Sequence, residues 1–187
     1  RAMFTRSRHQ SGLTLVELII FIVVIGVGLA GITVTYNTVV RHSADPMMRK
    51  QALSIAESLL LEIEQQAFTW CDPQDANATT ASSAVGCAAN NQGNLAGPTP
   101  ASETRGSHTD PFDNVADYGG ITNVAASDIL GVNAVAGYTV TVRIAQAGGV
   151  APFAGIPADA VLRIAVTVTG FGETVTLVGY RARHSPN

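Results

Sequence analysis

Charge is what this chain has least of. Only 13% of its 187 residues are Asp, Glu, Lys or Arg, and the formal net charge is −3 at pH 7. No basic stripe exists beyond the first dozen residues, which argues against nucleic acid as the main partner. Two cysteines are too few for a disulfide framework, and no His or Cys spacing suggests zinc. His9, His42, His108 and His184 are scattered, and no Ser/His/Asp or Cys/His arrangement can be read. The expectation is therefore a protein that is not an enzyme, with no catalytic, metal or cofactor-binding residue to name.

The shortage is sharpest between His9 and Arg41, where Glu17 is the only charged side chain. From Leu13 to Val40 the sequence is otherwise apolar or uncharged. A helix over Leu13–Tyr36 would span ~36 Å at ~1.5 Å per residue, enough to cross ~30 Å of hydrocarbon. A secretory signal has a shorter apolar stretch and ends in a small-residue cleavage box, which this run does not do. Arg1, Arg6 and Arg8 precede the run and few basic residues follow it. That asymmetry places the N-terminus in the cytoplasm and the remainder beyond the inner membrane, as a single-pass protein. A carboxylate near the membrane midplane costs roughly 2.5–3.5 kcal/mol. A chain that keeps one there has a use for it.

Gly12-Leu13-Thr14-Leu15-Val16-Glu17-Leu18 resembles the processing site of type IV pilins and of the related pseudopilins of type II secretion. The resemblance implies a leader peptide over 1–12, cut between Gly12 and Leu13 by a prepilin peptidase that methylates the new N-terminus. It implies a subunit that leaves the inner membrane to join other pilin subunits in an extracellular pilus or a periplasmic pseudopilus. Leu13 departs from the phenylalanine or methionine most frequent at that position, and Val34 stands where many pilins carry proline. Cleavage would create an α-amine that is mostly cationic at neutral pH, its reference pKa being about 7.7–8.0. Neither that cation nor Glu17 is tolerable alone in hydrocarbon, and each is stabilised by the other. A pair within one chain is possible, but the resemblance favours an intersubunit pair that makes Glu17 the registration charge between neighbours. Gly26, Gly28 and Gly31 permit close helix approach in lipid and weaken the helix locally.

Asp45-Pro46 has the form of an N-cap followed by proline at the first helical position, so a kink or break is expected there. Ala52, Ile55, Ala56, Leu59, Leu60 and Ile63 recur at helical spacing, and an amphipathic helix is expected within 41–70. Residues 71–136 carry no sustained period and are expected to be irregular. Placed outside the inner membrane, Cys71 and Cys87 are expected to pair, closing a loop of 16 residues and restraining it by about 3 kcal/mol. Asp110, Asp113 and Asp117 share a turn-rich loop whose oxygens could hold calcium. Their spacing is not that of an EF-hand, and a solvated turn is expected.

Over 137–187 the pattern is β. Tyr138, Val140, Val142 and Ile144 alternate with Thr139, Thr141 and Arg143, Leu162, Ile164, Val166 and Val168 alternate with Arg163, Ala165, Thr167 and Thr169, and a third strand covers Thr174 to Tyr180. Gly170-Phe171-Gly172 marks a hairpin. The fold class is α+β: a long N-terminal helix, transmembrane in its first half and amphipathic in its second, packed on a C-terminal antiparallel β-sheet as in pilins. The segments Arg49–Ser58, Phe112–Gly120 and Thr174–Arg181 are similar to minor pilins of mannose-sensitive haemagglutinin (MSHA) pili. That resemblance implies a low-abundance subunit that initiates or caps a filament used for attachment. A minor pseudopilin of type II secretion and a plain membrane-anchored periplasmic binding domain are the alternatives.

Overall fold

The computed structural model describes residues 14–131 and 135–183. Residues 1–13, which include the expected leader and the expected cleavage site between Gly12 and Leu13, lie outside the described residues. The chain divides into two units, Arg1–Asp45 and Pro46–Asn187. Helix α1, Leu15–Gln65, contributes to both and contains Pro46. The break expected at Asp45-Pro46 is not found. Proline removes one amide donor and so one i→i−4 bond. Long helical stretches on either side keep their own bonds, and the loss does not terminate the helix.

Within the second unit, α1 buries a single stripe. Ala52, Ala56 and Ile63 are fully covered and Leu59 nearly so, while Leu53 and Leu61 on other faces are exposed. The stripe meets four antiparallel strands in sequential order: β1 (Val124–Ala125), β2 (Tyr138–Gln146), β3 (Val161–Gly170) and β4 (Glu173–Ala182). The alternation sets which face is buried, because successive side chains on a strand point to opposite sides. Val140, Val142, Leu162, Ile164, Val166 and Val168 therefore join the helix stripe in one core, with Val115 and Tyr118 from a 3-10 turn over Val115–Gly120.

Strands β3 and β4 are joined by the two-residue turn Phe171-Gly172, with φ of 52° and 83°. A two-residue hairpin needs left-handed backbone at both positions, which glycine adopts freely and phenylalanine does not. The Phe171 ring lies edge-on to Tyr138, with centroids 5.2 Å apart, and this contact offsets the strain. Tyr138 also ties β2 to the helix, its hydroxyl lying 3.1 Å from the Met48 carbonyl and 2.9 Å from Gln51 Oε1. At Gly179 the helix comes so close to β4 that a Cβ would run into the Glu64 carboxylate and Leu60.

After Gln65 the chain is held by side chains rather than by regular structure. Arg181 donates to the Gln66 carbonyl at 3.2 Å. Arg183 lies over the rings of Phe68 and Trp70, at 4.0 and 3.7 Å from their centroids. Burial holds its guanidinium below the usual arginine range. Glu62 accepts two hydrogen bonds from Arg105, at 2.7 and 2.6 Å, and one from the Tyr118 hydroxyl at 2.9 Å. Burial, with Glu62 alongside, pushes the Tyr118 hydroxyl above the usual phenol value. These contacts fasten the aperiodic region to the helix.

Candidate functional site

The first unit carries an exposed apolar helix. Leu15–Asn37 is one helical stretch with mean hydropathy 2.8, long and apolar enough to cross a membrane. Its large apolar side chains are exposed, from 42% at Ile25 to 74% at Leu15. An apolar surface that extensive requires lipid or other apolar helices around it. Thr33 and Thr35 return their hydroxyls to the Leu29 and Gly31 carbonyls at 2.8 and 3.0 Å, which satisfies them without water. Apart from the helix's own backbone, no heavy atom among the described residues lies within 4 Å of where a Cβ would stand on Gly26, Gly28 or Gly31.

Glu17 sits in the first turn of α1, exposed, with its backbone amide donating to Thr14 Oγ1 at 3.3 Å. A carboxylate at a helix N-terminus is favoured by the dipole.

The second unit holds the carboxylates. Cys71 and Cys87 form a disulfide with Cα atoms 5.4 Å apart. Asp75 organises the loop that this bridge closes. Its two carboxylate oxygens accept from the amides of Asn77, Ala88, Ala89 and Asn90 at 2.8–2.9 Å, and those bonds hold its carboxyl well below the usual range.

The loop expected to be a solvated turn is largely interior. Asn114 and Asp117 are fully buried and form a reciprocal cap on the 3-10 turn, with Asp117 accepting from the Asn114 amide at 2.8 Å. Asp113 is half-buried beside them. Burial occurs because Val115 and Tyr118 enter the hydrophobic core and draw the intervening acids in with them. Asp72 and Glu103 come to the same place from distant stretches, at 0% and 2% exposure. One oxygen from each of Asp72, Glu103 and Asp113 lies within 4.8 Å of the others. Burial pushes the Glu103 carboxyl up to about 9, with Asp72, Asp117 and Asp113 adding to the effect. Asp113 rises to about 6, through burial and then through Asp72, Asp117 and Asp110. Asp117 is also raised, burial outweighing its bonds to backbone amides.

Of the residues singled out in the sequence, the structure joins Cys71 to Cys87 and places Glu17 in the opening turn of an exposed apolar helix. Gly12 and Leu13 lie outside what it describes. Asp72 and Glu103 were not foreseen, because neither belongs to a motif and no regular spacing connects them to Asp113.

Residues 7–33 fit the prokaryotic N-terminal methylation motif, which is typical of type IV pilin-like proteins. No curated protein and no solved structure matches the chain. The motif covers residues 7–33 of the chain and suggests a type IV pilin-like or pseudopilin protein. The motif implies processing by a prepilin peptidase and assembly of the pilin kind.

Proposed function

We propose that this chain is a minor type IV pilin of the MSHA class, similar to the minor pilin MshD, that enters or initiates a surface filament used for attachment. Cleavage between Gly12 and Leu13 releases an α-amine, and Glu17 of one subunit pairs with that amine on its neighbour. The observation that carries this reading is a membrane-length helix with its apolar side chains exposed and one carboxylate in its first turn. Packed helix against helix, that surface is covered, and the buried acid is tolerable only beside a cation. A fixed stagger between subunits follows, because every mismatch of register strands both charges in an apolar medium.

The segments Arg49–Ser58, Phe112–Gly120 and Thr174–Arg181 support the MSHA class over a type II secretion pseudopilus. Before assembly the C-terminal domain stands in the periplasm. Its role is structural, and no catalytic step is assigned to it.

The test is incorporation. Cells that assemble filaments should include the wild-type chain, whereas Glu17→Ala should lower its share in sheared filaments at least tenfold. Glu17→Asp should recover part of the loss. Equal incorporation of Glu17→Ala, with equal amounts of protein in the membrane, would remove the registration role.

A further inference from the structure

We propose that Asp72, Glu103 and Asp113 form a calcium site that holds the aperiodic region together. The inference goes beyond the filament reading and does not rest on it.

Asp72 Oδ2, both carboxylate oxygens of Glu103 and Asp113 Oδ1 are buried and receive no hydrogen bond from an amide, guanidinium or hydroxyl among the described residues, and the Glu103 and Asp72 carboxyls lie close enough to share a proton. The remaining oxygens are occupied in an ordered way. Gln74 donates its backbone amide to Asp72 Oδ1 at 2.7 Å and its side-chain amide to Asp113 Oδ2 at 3.0 Å. One residue thus holds the outer oxygen of two carboxylates and leaves the inner oxygens free. Glu103 supplies a third carboxylate through a side chain 2% exposed. Asp117 stands behind them with both oxygens engaged, accepting from the amides of Thr99, Asn114 and Asp113. It adds negative field without offering a ligand.

Buried carboxylates left like this are expensive unless a cation or a proton joins them. Oxygen-only donors exclude the nitrogen and sulfur preferences of zinc and copper and suit hard cations. An irregular loop suits calcium, which accepts flexible geometry at about 2.3–2.6 Å, better than magnesium, which demands a near-ideal octahedron at about 2.0–2.1 Å. The three carboxylate oxygens, all within 4.8 Å of one another, can reach one such ion. Asp72 adjoins the disulfide at Cys71, Asp113 adjoins the 3-10 turn, and Glu103 lies between them in sequence. One ion would join three stretches that share no secondary structure.

The competing arrangement is a proton held among Glu103 and its neighbours, which relieves the same repulsion. The experiment uses the full chain in mild detergent, stripped with EDTA and dialysed, then titrated with calcium chloride alone. Isothermal calorimetry counts bound ions, and Trp70 fluorescence follows melting. The expected result is one calcium per chain and a higher melting temperature in calcium than in EDTA. Glu103→Gln should weaken binding at least tenfold and abolish the calcium-dependent rise. Asp113→Asn, at a half-buried position, should do the same at less risk to folding and carries the test if Glu103→Gln does not fold. Absence of heat and of a melting shift in the wild type would overturn the site. So would a rise of equal size in calcium and in EDTA on making Glu103→Gln, which identifies a proton-sharing cluster. An equal response to magnesium chloride would overturn the choice of calcium. None of these results touches processing at Gly12, so failure here is distinct from failure of the filament reading.

Discussion

Arg105→Met is expected to destabilise the Pro46–Asn187 unit by about 2–4 kcal/mol. Arg105 reaches from the aperiodic region to α1, giving Glu62 two bonds at 2.7 and 2.6 Å. It also donates to the Ser127 and Asp128 carbonyls at 3.3 and 3.0 Å. The two charged side chains are 19% and 15% exposed. Breaking a buried pair by removing one partner costs 3–5 kcal/mol, roughly, because the survivor is left charged and uncovered. The residual exposure lets water reach Glu62, and its remaining bond from Tyr118 at 2.9 Å also limits the damage. Both effects lower the figure. Methionine keeps most of the stem's packing, so the loss reports the guanidinium rather than a cavity. The assay is urea unfolding followed by the fluorescence of Trp70, the single tryptophan, which is stacked on Arg183. Glu62→Met in the Arg105→Met background should recover a large part of the loss, since no lone charge then remains. A cost under about 0.5 kcal/mol for Arg105→Met would refute the reasoning and class the pair with ordinary surface bridges.

Two further predictions concern the same unit. Gly119→Ala should cost about 1–3 kcal/mol by overpacking, because its Cβ would strike the Leu95 backbone carbonyl, which has no flexible end to move aside; thermal melting checks it, and an unchanged midpoint would contradict the packing. With EDTA present, stability should fall as pH rises from about 4.5 towards 9, through the raised Asp113 and Glu103 carboxyls. The sign follows from proton counting: in that window the folded chain holds protons that the unfolded chain has released, so rising pH favours unfolding. Urea midpoints measured across the range test this, and a flat or rising profile would contradict it.

Parts of this architecture were legible because they repeat. The stripe at Ala52, Ala56, Leu59 and Ile63 and the alternation from Tyr138 to Ile144 and from Leu162 to Val168 are periodic signals, and each marks the buried face. The Gly12 to Glu17 pattern was legible for a different reason, since one acid in an apolar run is conspicuous against its surroundings. Strand β1 was not legible: two residues are too few to show alternation, and they are fixed by pairing with β2. Of the kink or break expected at Pro46, the break does not occur, because long helical stretches stand on both sides of it. Asp72, Glu103 and Asp113 meet only because Val115 and Tyr118 anchor their turn in the core, a tertiary effect with no trace in local spacing. Arg105 and Glu62 belong to the same kind, joined across 43 positions by the fold alone.

The central claim is that a peptidase exposes an amine which Glu17 of a neighbouring subunit then neutralises. It is tested most directly by intact-mass and N-terminal sequencing of the chain recovered from filaments of cells that carry a prepilin peptidase. The account predicts a mature chain starting at Leu13, and the uncut form in cells lacking the peptidase. A chain that keeps Arg6 and Arg8 ahead of Gly12 in peptidase-bearing cells would contradict it.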